Sequence, residues 1–222
     1  MAEKTNYRTL LMDAPWTERG GGKIKRGADR HYPLVKTQDM PALIRGSGVF
    51  TPDVNAHLWL WATNNKLPDA LWLGKELGFD YKTNVVWSKG RTPETLMCEM
   101  LNAGRGAETL EQVCADISDG LCPQIGLGQY IRGSHELLLL FTRGRGQAPE
   151  VWNGHKLWAN SDARSVSSVI RAPRTKHSAK PEEAHHLIER VSAGPRIELF
   201  ARTTRPGWDV WGDEVPQEQH AG

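Results

Sequence analysis

The chain has 222 residues, 39% of them hydrophobic and 24% charged, with a formal net charge of +2. That length suits one α/β domain, and the apolar content argues against disorder throughout. The small net charge neither demands nor excludes nucleic acid: a protein that wraps a long duplex passively is usually more basic, whereas gripping one nucleotide needs only a local basic patch.

Cys98, Cys114 and Cys122 are widely spaced and form no Cys-x-x-Cys pair, which argues against a disulfide framework and a structural zinc site. No stretch approaches the ~20 apolar residues of a membrane span. The first residues are polar, without a signal-peptide core. The expectation is a soluble protein of a reducing, cytoplasmic compartment, a single domain over 1–222 with a polar tail after about residue 215.

In chain order, residues 9–12 (TLLM) form a short apolar run that stops at Asp13, as a buried strand meeting a turn does. Residues 17–31 contain the run Gly20-Gly21-Gly22 and five cations without periodicity, and read as a loop. Residues 57–62 (HLWLWA) predict a second strand. Pro68 opens a helix that runs to about Leu77 and stops at Gly78. Residues 84–88 (NVVWS) predict a third strand, residues 94–117 a helix or helix pair, and residues 92–125 a variable insertion. Residues 137–141 are almost purely apolar, as in a strand covered on both faces. Residues 166–172 are a further strand candidate. A helix then opens at Pro181 with Glu182 and Glu183 in its first turn. Ala184, Leu187, Ile188 and Val191 make its apolar stripe, and Gly194 is its expected end. Residues 196–201 (RIELFA) predict the last strand. Strands alternating with helices imply a mostly parallel open sheet with helices on both faces. Such sheets bind ligands beyond the carboxyl ends of their strands. Asp13 and Glu198 are the acids expected there.

The tetrapeptide Asp13-Ala14-Pro15-Trp16 has chemistry suited to one task. The lone pair of an adenine amino group is delocalised into the ring, so two acceptors on its N–H groups are needed to localise it and stabilise developing charge. The Asp13 carboxylate and the Ala14 carbonyl can supply them. Pro15 stiffens the turn and biases Ala14 to an extended conformation. Trp16 offers a face for a base, worth roughly 1–3 kcal/mol in nucleic-acid sites. Alone, the same four residues are also a common turn signal after a strand.

The tetrapeptide does not stand alone. His31-Tyr32-Pro33-Leu34, residues 57–62, residues 84–89, Gly126-Leu-Gly128 through 132–137, Lys176-His-Ser-Ala-Lys-Pro-Glu-Glu183, residues 187–202 and residues 205–214 follow in order. Together they resemble the MT-A70-like family of adenine-N6 methyltransferases over roughly residues 7–215. The resemblance implies a Rossmann-like methyltransferase fold in permuted order, with the catalytic motif early and much of the cofactor pocket late. It implies S-adenosylmethionine as donor and no metal. It implies catalytic roles for Asp13, Ala14, Pro15 and Trp16. Lys180 would meet the donor's carboxylate and Asp13 its ammonium. Glu198, Arg202, Asp213 and Glu214 match positions used around the ribose. Trp16, Tyr32, Lys23, Lys25 and Arg26 are the candidates for substrate contact, the cations touching phosphates. Ala14 departs from the family's proline but still carries the carbonyl.

Bland readings stand beside some of these. Gly20-Gly21-Gly22-Lys23 lacks the spacing of a phosphate loop. His185 and His186, adjacent on a helix, are expected to be solvent-exposed. Most tryptophans are expected in the core, with Trp16, and less clearly Trp208, near ligand. The function implied is methyl transfer to adenine N6 in nucleic acid, DNA slightly ahead of RNA, by a stand-alone enzyme of a bacterial or phage-infected cell, monomeric or dimeric. A target in duplex DNA would have to be flipped out of the stack. The rival is a non-catalytic partner of the same fold.

Overall fold

The computed structural model describes residues 5–17, 35–90, 130–145, 166–174, 179–213 and 215. Seven strands form one sheet in the order β5-β3-β4-β2-β1-β6-β7. They are β1 (Tyr7–Met12), β2 (Pro52–Ala62), β3 (Asp80–Lys89), β4 (His135–Arg143), β5 (Val169–Ala172), β6 (Arg196–Leu199) and β7 (Asp209–Trp211). β1 runs parallel to β2 and β6, β6 parallel to β7, and β3 parallel to β5. β4 alone runs against both of its neighbours, β2 and β3. Helices α1 (Met40–Gly46) and α2 (Leu67–Glu76) cover one face, and α3 (Glu182–Val191) covers the other. This is the Rossmann-like α/β architecture expected from the alternating pattern.

The strands follow from their residues. β2 lies between β1 and β4 and is buried without interruption from Ala56 to Ala62, which accounts for its apolar run. Its alternate side chains divide between the two cores. Leu58 and Leu60 face α1 and α2, with Met40, Ile44 and Leu73. Trp59 and Trp61 face α3, with Ala184, Leu187 and Ile188. α2 packs so closely on β4 that a Cβ at Gly74 would lie 2.3 Å from the Phe141 ring, so glycine is required there.

Boundaries differ from expectation in informative ways. α2 ends as expected, with Gly78 at φ +88 just past Leu77. α3 stops at Val191 rather than at Gly194, because Ser192 is extended. Its hydroxyl is committed to Trp59 and His57 instead of continuing the helix. β5 is confined to Val169–Ala172, the stretch that pairs with β3. α1 and β7 were not anticipated: the first has seven residues and the second three, too few for periodicity to show. The helix expected at 94–117 and the insertion at 92–125 lie outside the described residues. Among the described residues no helix is long and apolar enough to cross a membrane, and no cluster of His, Cys, Asp or Glu could hold a metal ion.

From β1 the chain moves one way across the sheet to β2. It returns through α3 to lay β6 and β7 on the other side of β1. The order therefore reverses between β1 and β6, and open α/β sheets place their ligand crevice at such a point.

Candidate active site

Asp13 follows the last residue of β1 and so stands at the mouth of this crevice. Leu11 belongs to the α3-side core, and the two-residue period of a strand carries Asp13 towards the same face. The turn after it is tight. The Trp16 amide donates to the Ala14 carbonyl at 2.8 Å, closing a three-residue turn centred on Pro15, whose fixed φ suits it. The Val35 amide donates to the Pro15 carbonyl at 3.0 Å. The Ala14 oxygen keeps a second lone pair for a ligand N–H. The Trp16 indole nitrogen donates to the Trp61 carbonyl at 3.1 Å, and the ring is only 6% exposed. Trp16 is thus part of the α1/α2-side core and a fixed wall of the turn, rather than an open platform.

Lys180 lies just before α3 and donates to Asp13 Oδ2 at 2.9 Å. It also lies 3.4 Å from Glu136 Oε2, and its ammonium sits 5.6 Å from the centre of the Trp61 ring. Glu136, near the start of β4, accepts at 2.5 Å from Lys89, the last residue of β3. Because β4 is antiparallel, its beginning meets the carboxyl ends of its neighbours. Lys89, Glu136, Trp61 and Asp13 therefore form a row along the sheet order β3-β4-β2-β1, with Lys180 laid over Trp61 between the two acids.

The row is electrostatically self-consistent. Burial opposes the charge on Lys180, but Asp13 and Glu136 on either side outweigh it and hold the amine protonated well above its usual range. Burial pushes Glu136 up, and Lys180 and Lys89 together more than reverse this. For Asp13 burial is the larger influence, so its carboxyl is pushed up despite the pull of Lys180 and the more distant Arg202.

Glu198, in β6, pairs in register with Leu11 and faces α3. Its Oε2 lies 3.0 Å from Nε2 of His185. Here the expectation of two exposed histidines is corrected. His186 has a side chain 65% exposed, whereas that of His185 is 8% exposed. One residue is a 100° step on a helix, enough to send neighbours to opposite environments. Phe200 follows β6 at φ +62, a left-handed conformation rare outside glycine, and turns the chain at the crevice. Arg202 is half-buried beyond it, and Asp213 is exposed. Trp208 is buried against α3, its indole nitrogen donating to Glu189 at 2.7 Å. Tyr32, Lys23, Lys25, Arg26 and Glu214 lie outside the described residues.

The geometry thus gathers Asp13, Lys180, Arg202 and Glu198 around the β1/β6 crevice, and adds Glu136, Lys89 and His185. Lys89 sits at the carboxyl end of β3, whereas Glu136 lies near the amino end of β4, where no such signal marks it. The third lies three residues before Ile188, on the edge of the apolar stripe.

The family model described as MT-A70 matches residues 118–214, a span that includes Glu136, Lys180 and Glu198. The type II methyltransferase M.MunI of a Mycoplasma species is 25% identical over 240 residues, covering 97% of this chain and 81% of the relative. These matches support an MT-A70-like adenine-N6 methyltransferase family for the chain. The human N(6)-adenine-specific methyltransferase METTL4 is 43% identical over 53 residues, which is 23% of this MT-A70-like chain and 11% of that protein. The mouse protein of that name is 40% identical over 53 residues, again 11% of its length.

Proposed function

We propose that this MT-A70-like chain transfers the methyl group of S-adenosylmethionine to N6 of adenine in nucleic acid, with duplex DNA as the expected substrate. The observation that carries the reading is the placement of Asp13 and the Ala14 carbonyl in one tight turn at the sheet's reversal point, beside a protonated Lys180. The donor, when bound, supplies a methyl group already activated by its sulfonium. The charges of the crevice fit it: a cation for its carboxylate in Lys180, an acid for its ammonium in Asp13, and Glu198 one strand away for ribose hydroxyls.

Asp13 and the Ala14 carbonyl accept from the two N–H groups of the target amine, localising its lone pair and stabilising charge as it develops. Pro15 and the anchored Trp16 keep both acceptors in place. Positioning supplies much of the acceleration. Lys23, Lys25, Arg26 and Tyr32 are assigned to the nucleic acid, and Arg202, Asp213 and Glu214 to the donor's surroundings.

The test is transfer of labelled methyl to duplex DNA, single-stranded DNA and RNA, with product analysis at adenine N6. Asp13→Ala is expected to lower turnover by about 10²–10³-fold, the scale for loss of one preorganised charge-stabilising group. Equal turnover in both proteins would remove Asp13 from the mechanism. Donor binding with no transfer by the wild type would instead favour a non-catalytic partner.

A further inference from the structure

α3 and the residues just before it deliver two side chains to the crevice, five positions apart. Lys180 meets Asp13 at 2.9 Å, and His185 meets Glu198 at 3.0 Å. The second contact is built to be rigid. The Trp208 ring stands edge-on to the His185 ring, 5.5 Å between centres at 79°. Trp208 is itself tied to Glu189, one turn further along α3. A carboxylate accepts only, so the contact requires the proton on Nε2 of His185. Nδ1 is buried and has no hydrogen-bond partner among the described residues. The ring's polar bonding is therefore given to Glu198, on a buried side chain where an orphaned polar atom has a real cost. Glu198 is held by Oε2, and Oε1 takes no part in that bond.

We propose that His185 is a positioning residue for the methyl donor. It fixes the Glu198 carboxylate by one oxygen so that the other meets the donor's ribose hydroxyls. This rests on the reading of Glu198 as a donor contact. His186, next in sequence but exposed, is the internal control.

The experiment is calorimetric titration of the full chain with S-adenosylmethionine, alongside the melting temperature without ligand. Glu198→Ala and His185→Phe are each expected to weaken binding by about tenfold, the order of one lost hydrogen bond to a charged group. The double variant should be no weaker than Glu198→Ala alone. His185→Gln should recover most of the affinity, since its amide nitrogen can donate from the place of Nε2, and His186→Phe should bind as wild type. In steady state, His185→Phe should raise KM for the donor and leave kcat at saturation.

Wild-type binding by a folded His185→Phe, with Glu198→Ala weakened, would overturn the proposal and leave His185 a packing residue. Wild-type binding by Glu198→Ala would overturn the donor reading of Glu198 and the proposal with it. If His185→Phe does not fold, the side-chain nitrogen resonances of ¹⁵N-histidine-labelled wild type decide. The His185 Nε2–H signal should move on donor addition, and an unmoved signal overturns the proposal.

Discussion

The two ends of α3 bury polar groups against the same face of the sheet in opposite ways. At its amino end Lys180 joins a row of four charges, Asp13, Lys180, Glu136 and Lys89, at the carboxyl edge of the strands. At its carboxyl end Ser192 joins a network held neutral. Its hydroxyl accepts from Trp59 Nε1 at 2.9 Å and lies 2.7 Å from His57 Nδ1. Burial, with a smaller push from Arg8, brings the His57 pKa down to about 4. The Ser192 hydroxyl thus bridges the Trp59 and His57 rings. The neutral network uses its groups on one another and locks the helix down. The charged row divides one ammonium between two acids, so a ligand carboxylate can compete for it. The difference separates an edge that holds the fold from the edge to which the proposed chemistry is assigned.

Lys180→Met tests the charged end most severely. Methionine can still lie over Trp61, but Asp13 and Glu136 are left buried without their shared cation. Removing one partner of a buried ion pair costs about 3–5 kcal/mol. The sign with pH follows. Without Lys180 the folded-state pKa of Asp13 rises further above its unfolded value and that of Glu136 loses the largest of the pulls that depress it, so protonation relieves the deficit. The loss should be largest near pH 8 and smaller near pH 5. Chemical denaturation at the two pH values checks this, and a deficit independent of pH would show that the acids were not coupled through Lys180.

The neutral end should respond to acid instead. A histidine that titrates at 6.5 when unfolded and at about 4 when folded is bound by more protons in the unfolded state between those values. Its contribution to stability is complete above pH 6.5 and is lost as pH falls to about 4. The loss amounts to roughly 3 kcal/mol. Denaturation curves across that window should show the slope in wild type and a shallower one in His57→Gln. Equal slopes in both would mean that His57 titrates alike in the folded and unfolded states.

The same contrast explains what was readable beforehand. β1, β2, β4 and α3 announced themselves because their cores impose continuous or helical apolar patterns on the sequence. Asp13 and Lys180 were readable because one ends an apolar run and the other precedes a helix start. Glu136 and Lys89 were not, because their partnership exists only once antiparallel β4 brings residue 136 beside residue 87 of β3. His185 was misread because adjacency to His186 conceals the rotation between them. His57 looked like the first residue of an apolar strand, and nothing local marks Ser192, 135 residues away, as its partner.

The smallest expected effect belongs to an ion pair outside both networks. Arg205, in the turn before β7, makes a two-pronged contact with Glu182 in the first turn of α3. Its geometry is better than that of Lys180 with Glu136, yet the side chains are 24% and 53% exposed. Water screens the attraction, and holding two long side chains together costs entropy, so such pairs contribute about 0.2–1 kcal/mol. Glu182 also keeps the favourable field of the helix amino end when Arg205 is gone. Arg205→Ala should therefore lower stability by less than about 1 kcal/mol, and the difference should fade in 1 M salt, where screening acts over about 3 Å. The Lys180→Met deficit should survive the same salt, since buried charges are screened far less. A salt-resistant loss in Arg205→Ala as large as that of Lys180→Met would mean that burial, rather than geometry, is the wrong criterion for ranking the charges around α3.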